Sequence, residues 1–454
     1  MKIIVVGCGK GGYTIAKSLS EEGHDVVIID KKNDVFDKVT ESLDVMSLRG
    51  NALSANILLE AGAKQADLIV CVASNDETNI LCAITAKRLG VKKSVARVRD
   101  PEYAVELMQF RKDFGLDMII NPEQQAAFEI SRLLRFPTAQ DIITFVSGRV
   151  EIIAFPLGAD NLLANKVVSQ IFAKIKMPVL LVSVEREDGV FIPHGDMTLL
   201  EGDLLRVAGR PDDIMDFFRY IGIFSERIRD VMIIGGGKIT RYLCDYMHKY
   251  NAKIKIIEID EEQCNELSEN LPNALIIQGD GTDEAVLESE NLEEMGAVVC
   301  LTDRDEENVV TALYAQQCGV GKLIIKVNHI NIEIIKKLNL GSVICPKNLT
   351  CYQIIQYVRR LNNSAGRSSI RAMYKIVDNE GRGLETLEFE ITEFSRALHI
   401  PLKDLRLKKD ALICCIVRGS NVLIPCGSTE INENDNVIVV VDGESIDEFD
   451  DILE

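Results

Sequence analysis

The feature that most restricts this chain is that it is written twice. KIIVVGCGKGG (Lys2–Gly12) recurs as VMIIGGGKIT (Val231–Thr240), so that Gly7, Gly9 and Lys10 stand over Gly235, Gly237 and Lys238. The same offset carries DVVIID, ending at Asp30, onto KIKIIEID, with Glu258 in the place of Asp30. RGNA (Arg49–Ala52) then faces QGDG (Gln278–Gly281), and ADLIVCVASNDETN faces GAVVCLTDRDEEN. VARVRD faces IIKVNH, and IINPEQ faces VICPKN, which sets Arg97 over Lys326 and Pro122 over Pro346. A period this long is a duplication of whole domains rather than a solenoid unit.

Each copy carries a second, unlike segment, in which IPHGDMTLLEGDLLRVAG (Ile192–Gly209) faces IPCGSTEINENDNVIVVVD (Ile424–Asp442). Four modules are therefore expected in the order A, B, A′, B′, at 1–136, 140–224, 229–361 and 369–454. The breaks fall near Pro137–Asp141, Phe224–Asp230 and the polar Asn362–Ser369, which reads as a flexible linker. The length of 454 residues suits three or four domains at roughly 150 residues each.

Composition removes several function classes. Hydrophobic residues make up 47% and charged residues 27%, enough to bury cores. The net charge of -19 disfavours nucleic-acid binding, which needs a basic footprint, and disfavours direct attraction to anionic lipid. No apolar run reaches the roughly 18 residues of a membrane span. The opening MKIIVVGCGKGG enters a strand at once, without the basic start of a leader, so a cytosolic protein is expected. The 12 cysteines lack CxxC spacing and read as small buried hydrophobes. The 5 histidines show no ligand spacing, so no structural zinc is expected.

Module A alternates short β-rich runs (IIVV, DVVII, DVMSLRG, LIVCVA, SVARV, MII) with helical patterns. That alternation implies βαβ units and a parallel sheet with helices on both faces. The first strand runs into Gly7-x-Gly9-x-x-Gly12, a helix follows, and the next strand ends in Asp30. This is the context of a dinucleotide-binding turn. Gly7 permits the tight turn, Gly9 lets backbone approach a pyrophosphate, and Gly12 lets helix pack on strand. The helix start offers N–H groups to phosphate, and Asp30 would accept from ribose hydroxyls while repelling a 2′-phosphate. A plain glycine-rich turn is the competing reading. The second turn departs at its third position, where Thr240 is expected to push helix from strand or to need local adjustment. That copy either binds a different nucleotide or only holds the fold.

Modules B and B′ read as small α+β units, with one helical stretch at Ala164–Ile175 and an acidic tail, EFDDILE, expected to be a solvated helix face. After the sixth strand of each A module, Pro122–Phe136 and Pro346–Leu361 are helical with an apolar stripe (Ala127, Ile130, Leu133, Leu134 in the first). Both helices are expected to pack on a neighbouring subunit, with packing inside the chain as the alternative. A nicotinamide dehydrogenase would need a placed acid or base, and none is evident: GxSxG, HExxH and Walker A motifs are missing, and His194 faces Cys426. An NAD-dependent oxidoreductase with an unidentified substrate stays the alternative to a sensor.

Taken together, GCGKGGYTIAKSL, the GN and GDG steps, CVASNDETN, ARVRDPEY and IPHGD…EGD in the order A-B-A′-B′ resemble the TrkA family over the whole chain. These are cytosolic NAD-binding regulatory subunits of the bacterial Trk potassium uptake system. The resemblance implies two Rossmann-like RCK N-terminal domains, each followed by a small α+β RCK C-terminal domain. It implies a non-enzymatic homo-oligomer, dimer or tetramer, docked beneath a membrane potassium channel subunit of the TrkH/TrkG type and so peripheral on the inner face of the membrane. NAD or NADH would be bound, with ADP and ATP as further ligands. Carried over by motif, the first site would use Gly7, Cys8, Gly9, Lys10, Gly11 and Gly12 at the pyrophosphate and Asp30 at the ribose. Asn51, where the family often has Asp, would lie near adenine, Ala73 and Ser74 beneath the nucleotide, and Arg97 at phosphate. An ion pair of Arg97 with Asp76 or Glu77 is the structural alternative. The second site would use Gly235, Gly236, Gly237, Lys238, Glu258, Asp280, Leu301 and Thr302.

Overall fold

The computed structural model describes residues 1–32, 43–223, 228–248, 251–329, 332, 335, 338, 340–362, 368–377, 383–442 and 446–454. The linker expected at Asn362–Ser369 and the break at Phe224–Asp230 lie largely outside these residues. The chain forms two units, and each gathers like modules: Met1–Ser131 with Arg229–Ile355, and Arg132–Ile228 with Gln356–Glu454.

In the first unit, module A begins β1 (Lys2–Val6), α1 (Lys10–Glu21), β2 (Asp25–Asp30) and β3 (Met46–Arg49). It continues α2 (Ala55–Glu60), β4 (Leu68–Cys71), α3 (Asp76–Leu89), β5 (Lys93–Arg97), α4 (Pro101–Phe110), β6 (Met118–Ile120) and α5 (Pro122–Arg135). The strands pair in the order β3-β2-β1-β4-β5-β6, and every pairing is parallel. The order reverses between β1 and β4, which opens a crevice at the strand ends where doubly wound folds bind ligands. Central strands covered on both faces must be apolar throughout, and Ile3, Ile4, Val5, Leu68, Ile69, Val70 and Cys71 are all fully buried. Helix α3 is specified locally. Asn75 accepts from Thr78 N at its start, acids fill its first turn, Lys87 and Arg88 its last, and left-handed Gly90 ends it.

Module A′ repeats this with β7 (Asp230–Ile234), α6 (Lys238–His248), β8 (Lys253–Glu258), α7 (Glu261–Asn270), β9 (Ala274–Gln278) and α8 (Glu284–Ser289). Then follow β10 (Ala297–Cys300), α9 (Asp305–Gln317), β11 (Lys322–Lys326), β12 (Ser342–Ile344) and α10 (Pro346–Asn362). Its sheet order is the same, β9-β8-β7-β10-β11-β12.

The apolar helices after the sixth strands do not wait for another subunit. Helix α5 of the first copy packs on α6 of the second, with Asn121 Nδ2 donating to Tyr242 Oη at 2.7 Å and Phe128 edge-on to Tyr246 at 5.6 Å. Helix α10 of the second copy packs reciprocally on α1 of the first, through Cys351 and Ser18, and Gln353 donates to Gln125 at 3.1 Å. The neighbour is the other copy in the same chain, the alternative reading, and not the expected second subunit. Duplication places it at high effective concentration, so the stripe is covered intramolecularly.

The second unit holds two antiparallel five-stranded sheets. One consists of Asp141–Phe145, Val150–Pro156, Val179–Arg186, Gly189–Phe191 and Leu204–Gly209, the other of Ser368–Val377, Gly383–Ile391, Ala411–Arg418, Asn421–Leu423 and Asn436–Asp442. They share one core, in which Phe145, Ile152 and Val182 join Leu384, Cys415 and Val440. The helix expected at Ala164–Ile175 is shorter, Val168–Phe172. The tail overturns its reading as a solvated helix face: Phe449–Ile452 is a single 3-10 turn, with Phe449 and Ile452 fully buried. Buried Asp450 accepts from Ser395 Oγ at 2.7 Å and from Arg396 N at 3.0 Å. A charge count along the chain misses such internal partners.

Candidate nucleotide site

The first glycine turn follows directly from β1. Gly7 has φ +88, and a Cβ there would stand 2.6 Å from Ala73 Cα, so both its conformation and its closeness to the β4 end require glycine. Gly12 has no room either, since a Cβ would fall 1.9 Å from Gly7 O. Gly9 is different. It begins α1 at φ -63, and nothing lies within 4 Å of where its Cβ would be. Glycine at position 9 answers to no neighbour in the protein, and the open space beside a helix start suits a pyrophosphate. Gly11 likewise faces open space.

Asp30 closes the turn from β2. Its Oδ2 accepts from Cys8 N at 2.6 Å and its Oδ1 from Lys32 N at 3.0 Å. A carboxylate has about four lone-pair sites, so capacity remains for ribose hydroxyls. Burial pushes the Cys8 thiol up to about 11, with Asp30 adding to the shift, which disfavours the thiolate, while its backbone N–H bonds Asp30. Asn51 turns back on Leu53 N. Ala73 is fixed by Asn79, which bonds both its N and its O. Arg97 donates to Ala73 O at 2.7 Å, and its Nε is buried without a hydrogen-bond partner. The alternative ion pair does not form, because Asp76 accepts instead from the backbone N–H groups of Arg99 and Asp100. A half-buried guanidinium bonded to Ala73 O, with its Nε donor unused, fits a phosphate ligand.

The second turn keeps this plan. Gly235 has φ +102 and Gly237 faces open space. Glu258 Oε2 accepts from Gly236 N at 2.6 Å, as Asp30 does from Cys8. The longer side chain reaches the same backbone donor. Thr240 is accommodated without losing the turn: it is fully buried, and its Oγ1 donates to Gly235 O at 2.6 Å. The carbonyl that leaves no space at Gly12 becomes here a hydrogen-bond acceptor. Asp280 accepts from Thr282 N and Oγ1, and these bonds hold its carboxyl below the usual range. Thr302 N bonds Asn308 as Ala73 N bonds Asn79. The counterpart of Ala73 and Ser74 is therefore Thr302 and Asp303, and the Leu301 side chain is buried in the core. Lys326 replaces Arg97, but its Nζ lies 2.9 Å from Asp303 Oδ1.

Two residues that the motif reading did not single out approach the turns from the opposite copy. Lys10 Nζ lies 2.8 Å from the ring nitrogens of His329, and Lys238 Nζ lies 3.2 Å from Asp100 Oδ2. Asp100 and His329 hold the same place in the repeat, the last residues of VARVRD and IIKVNH. Aligning the copies could have paired them, but only the packing shows that each meets the other copy's turn.

A doubly wound sheet with a glycine turn at its reversal point, built twice and each time followed by a small α+β domain, is a tandem Rossmann-like architecture of the RCK type. The chain belongs to the TrkA family: the TrkA-N domain matches residues 3–122 and 231–346 and the TrkA-C domain residues 152–222 and 386–454. It is 33% identical over 448 residues to the Trk system potassium uptake protein TrkA homolog 1 of Methanosarcina mazei, covering 97% of each chain. It is 30% identical over 455 residues to the TrkA homolog of Archaeoglobus fulgidus, covering 100% of each. Among solved structures, the GsuK channel bound to NAD superposes with a TM-score of 0.63 at 15% identity, covering 97% of this chain and 76% of that one. That likeness establishes the fold.

Proposed function

We propose that the chain is a non-enzymatic regulatory subunit that binds NAD or NADH, and also ADP or ATP, and gates a membrane potassium uptake channel of the TrkH/TrkG type. The observation that carries the reading is the first turn. Gly9 opens on empty space, Asp30 braces the turn with acceptor capacity to spare, and Arg97 keeps a buried donor unused. Family membership supplies the potassium system. No helix among the described residues is long and apolar enough to cross a membrane, which suits a subunit that acts through a membrane partner.

Nucleotide would act by shifting the two A modules against each other, since both turn lysines are held by the opposite copy. A ligand shifts such an equilibrium only by its different affinity for the two states, and couplings of about 1–3 kcal/mol change an open/closed ratio roughly 5- to 150-fold. Potassium flux through the reconstituted complex, measured with and without NADH and ATP, tests the proposal; flux indifferent to every nucleotide would sink it.

Asp30→Ala is expected to weaken NADH binding by about 10-fold or more, from loss of charge-assisted hydrogen bonds of about 1.5–3 kcal/mol each. NADPH should bind the unaltered protein more weakly than NADH, because the carboxylate repels a 2′-phosphate. Equal affinities in titration calorimetry would remove Asp30 from the ribose.

Oligomerisation belongs to the same proposal, on a different surface from α5 and α10. Leu81 on α3 is 53% exposed, and Val310, at the matching position of α9, is 61% exposed. An apolar residue held outward in both copies suits a contact between chains. Leu81→Glu combined with Val310→Glu is expected to lower the mass seen by light scattering while leaving secondary structure unchanged.

A further inference from the structure

The two turns share one geometry and differ in charge. At the first, Lys10 and Arg97 are the cations and Asp30 braces the turn, Asp76 and Glu123 act on Arg97 without pairing with it, and the flanking positions are Asn51, Ser74 and, from the opposite copy, His329. At the second, Lys238 and Lys326 are the turn cations, Glu258 braces the turn, and the same flanking positions are Asp280, Asp303 and Asp100, with Arg304 near Asp280 and Arg99 near Asp303. Both cations of the second turn are already engaged, Lys326 by Asp303 at 2.9 Å and Lys238 by Asp100 at 3.2 Å. Neither cation of the first turn lies within ion-pair distance of a carboxylate among the described residues: Lys10 meets an imidazole and Arg97 a backbone carbonyl. In the second turn Lys326 also holds the Asp303 carboxyl below its usual range, which keeps that negative charge in place.

We propose that this difference sorts ligands by charge. The first turn accepts a nucleoside triphosphate as well as a dinucleotide, whereas the second selects against each added phosphate and is left to the dinucleotide. The inference rests on the nucleotide reading above and assigns Asp100 and Asp303 as its specificity-determining residues, with His329 as the counterpart of Asp100 that carries no carboxylate. The physical reason is that extra phosphate charge must sit near these groups. It is stabilised by a cation not paired with a carboxylate and opposed where a carboxylate already neutralises that cation. The effect is electrostatic, so it weakens as salt rises.

Single-site proteins isolate the two turns. Gly237→Val leaves only the first and Gly9→Val only the second, since a side chain at either position enters open space rather than the core. ATP, ADP and NADH are titrated into each full-length variant by calorimetry at low and high salt. The ATP:NADH affinity ratio is expected to be about 10-fold higher at the first turn in low salt, and the gap should narrow in high salt. In the Gly9→Val background, Asp100→Asn with Asp303→Asn should raise the ratio about 3- to 10-fold, while Asp100→Glu leaves it unchanged. In the Gly237→Val background, His329→Asp should lower it. Thermal melts without nucleotide confirm that each variant is folded. Equal ratios at the two turns, or a ratio unmoved by the Asn pair in a folded protein, would overturn the sorting. A second turn that binds none of the three ligands would overturn it as well. Failure of the unaltered protein to bind any of them would instead strike the nucleotide reading itself.

Discussion

Gly9→Val is expected to leave the fold at wild-type stability and to remove nucleotide from the first turn, while Gly12→Ala, three residues on, is expected to damage the fold. The two glycines look equivalent in the motif and are opposites in the structure. At Gly9 the added side chain meets nothing within 4 Å, and φ -63 is open to any residue, so the folded protein resists it very little. What it fills is the space proposed for pyrophosphate. Losing two charge-assisted hydrogen bonds there corresponds to roughly 100-fold or more in affinity. At Gly12 even a methyl would stand 1.9 Å from Gly7 O, so helix α1 must move off β1. Such overpacking costs about 3 kcal/mol or more. Calorimetric titration with NADH and a thermal melt separate the outcomes. If Gly9→Val binds NADH normally, the turn is structural and the site lies elsewhere. If Gly12→Ala melts like wild type, the close approach is not a constraint.

Lys322→Met is expected to stabilise the second A module, and to do so most below neutral pH. Lys322 is the partner across the repeat of Lys93, which in the first copy reaches Asp117 at 2.9 Å. The position of Asp117 is Gly341 in the second copy. Lys322 is buried, 4% exposed, with Nζ donating to Ser342 Oγ at 3.0 Å. Burial pushes its amine down to about 7, because desolvation penalises the charged form. The unfolded chain binds this proton up to about pH 10.4 and the folded chain only to about 7. Between those values the unfolded state holds more protons, so stability rises with pH across this window. Below pH 7 the full penalty is present, on the order of 4 kcal/mol, and methionine of similar length removes it. A gain of roughly 5–10 °C in the melting midpoint at pH 6, fading towards pH 10, is the expected record. A variant whose midpoint keeps the wild-type slope against pH would show that Lys322 is not the titrating group.

What could be read in the order of residues was whatever depends on neighbours along the chain. The duplication, the alternation of strand and helix, the glycine turn and Asp30 at the end of β2 are local patterns, and backbone geometry turns them directly into a doubly wound sheet with its crevice. The small antiparallel domains were legible only as short strands, since their pairing depends on contacts distant in sequence. The tail FDDIL read as solvated because its charges are visible in the sequence, whereas the partners that bury Asp450 lie more than fifty residues away. Thr240 looked like a defect because motif logic counts the bulk of a side chain. Packing supplied an acceptor, Gly235 O, that turns the hydroxyl into part of the turn. The apolar stripe of α5 is plain in its periodicity, but periodicity does not name what covers it. The fold covers it with α6 of the second copy, through Asn121 to Tyr242 and Phe128 to Tyr246. Nothing local marks Asp100 and His329 as turn partners; each meets the other copy's turn lysine only because two copies of one fold are packed so that the loop after the fifth strand of each lies beside the other's glycine turn.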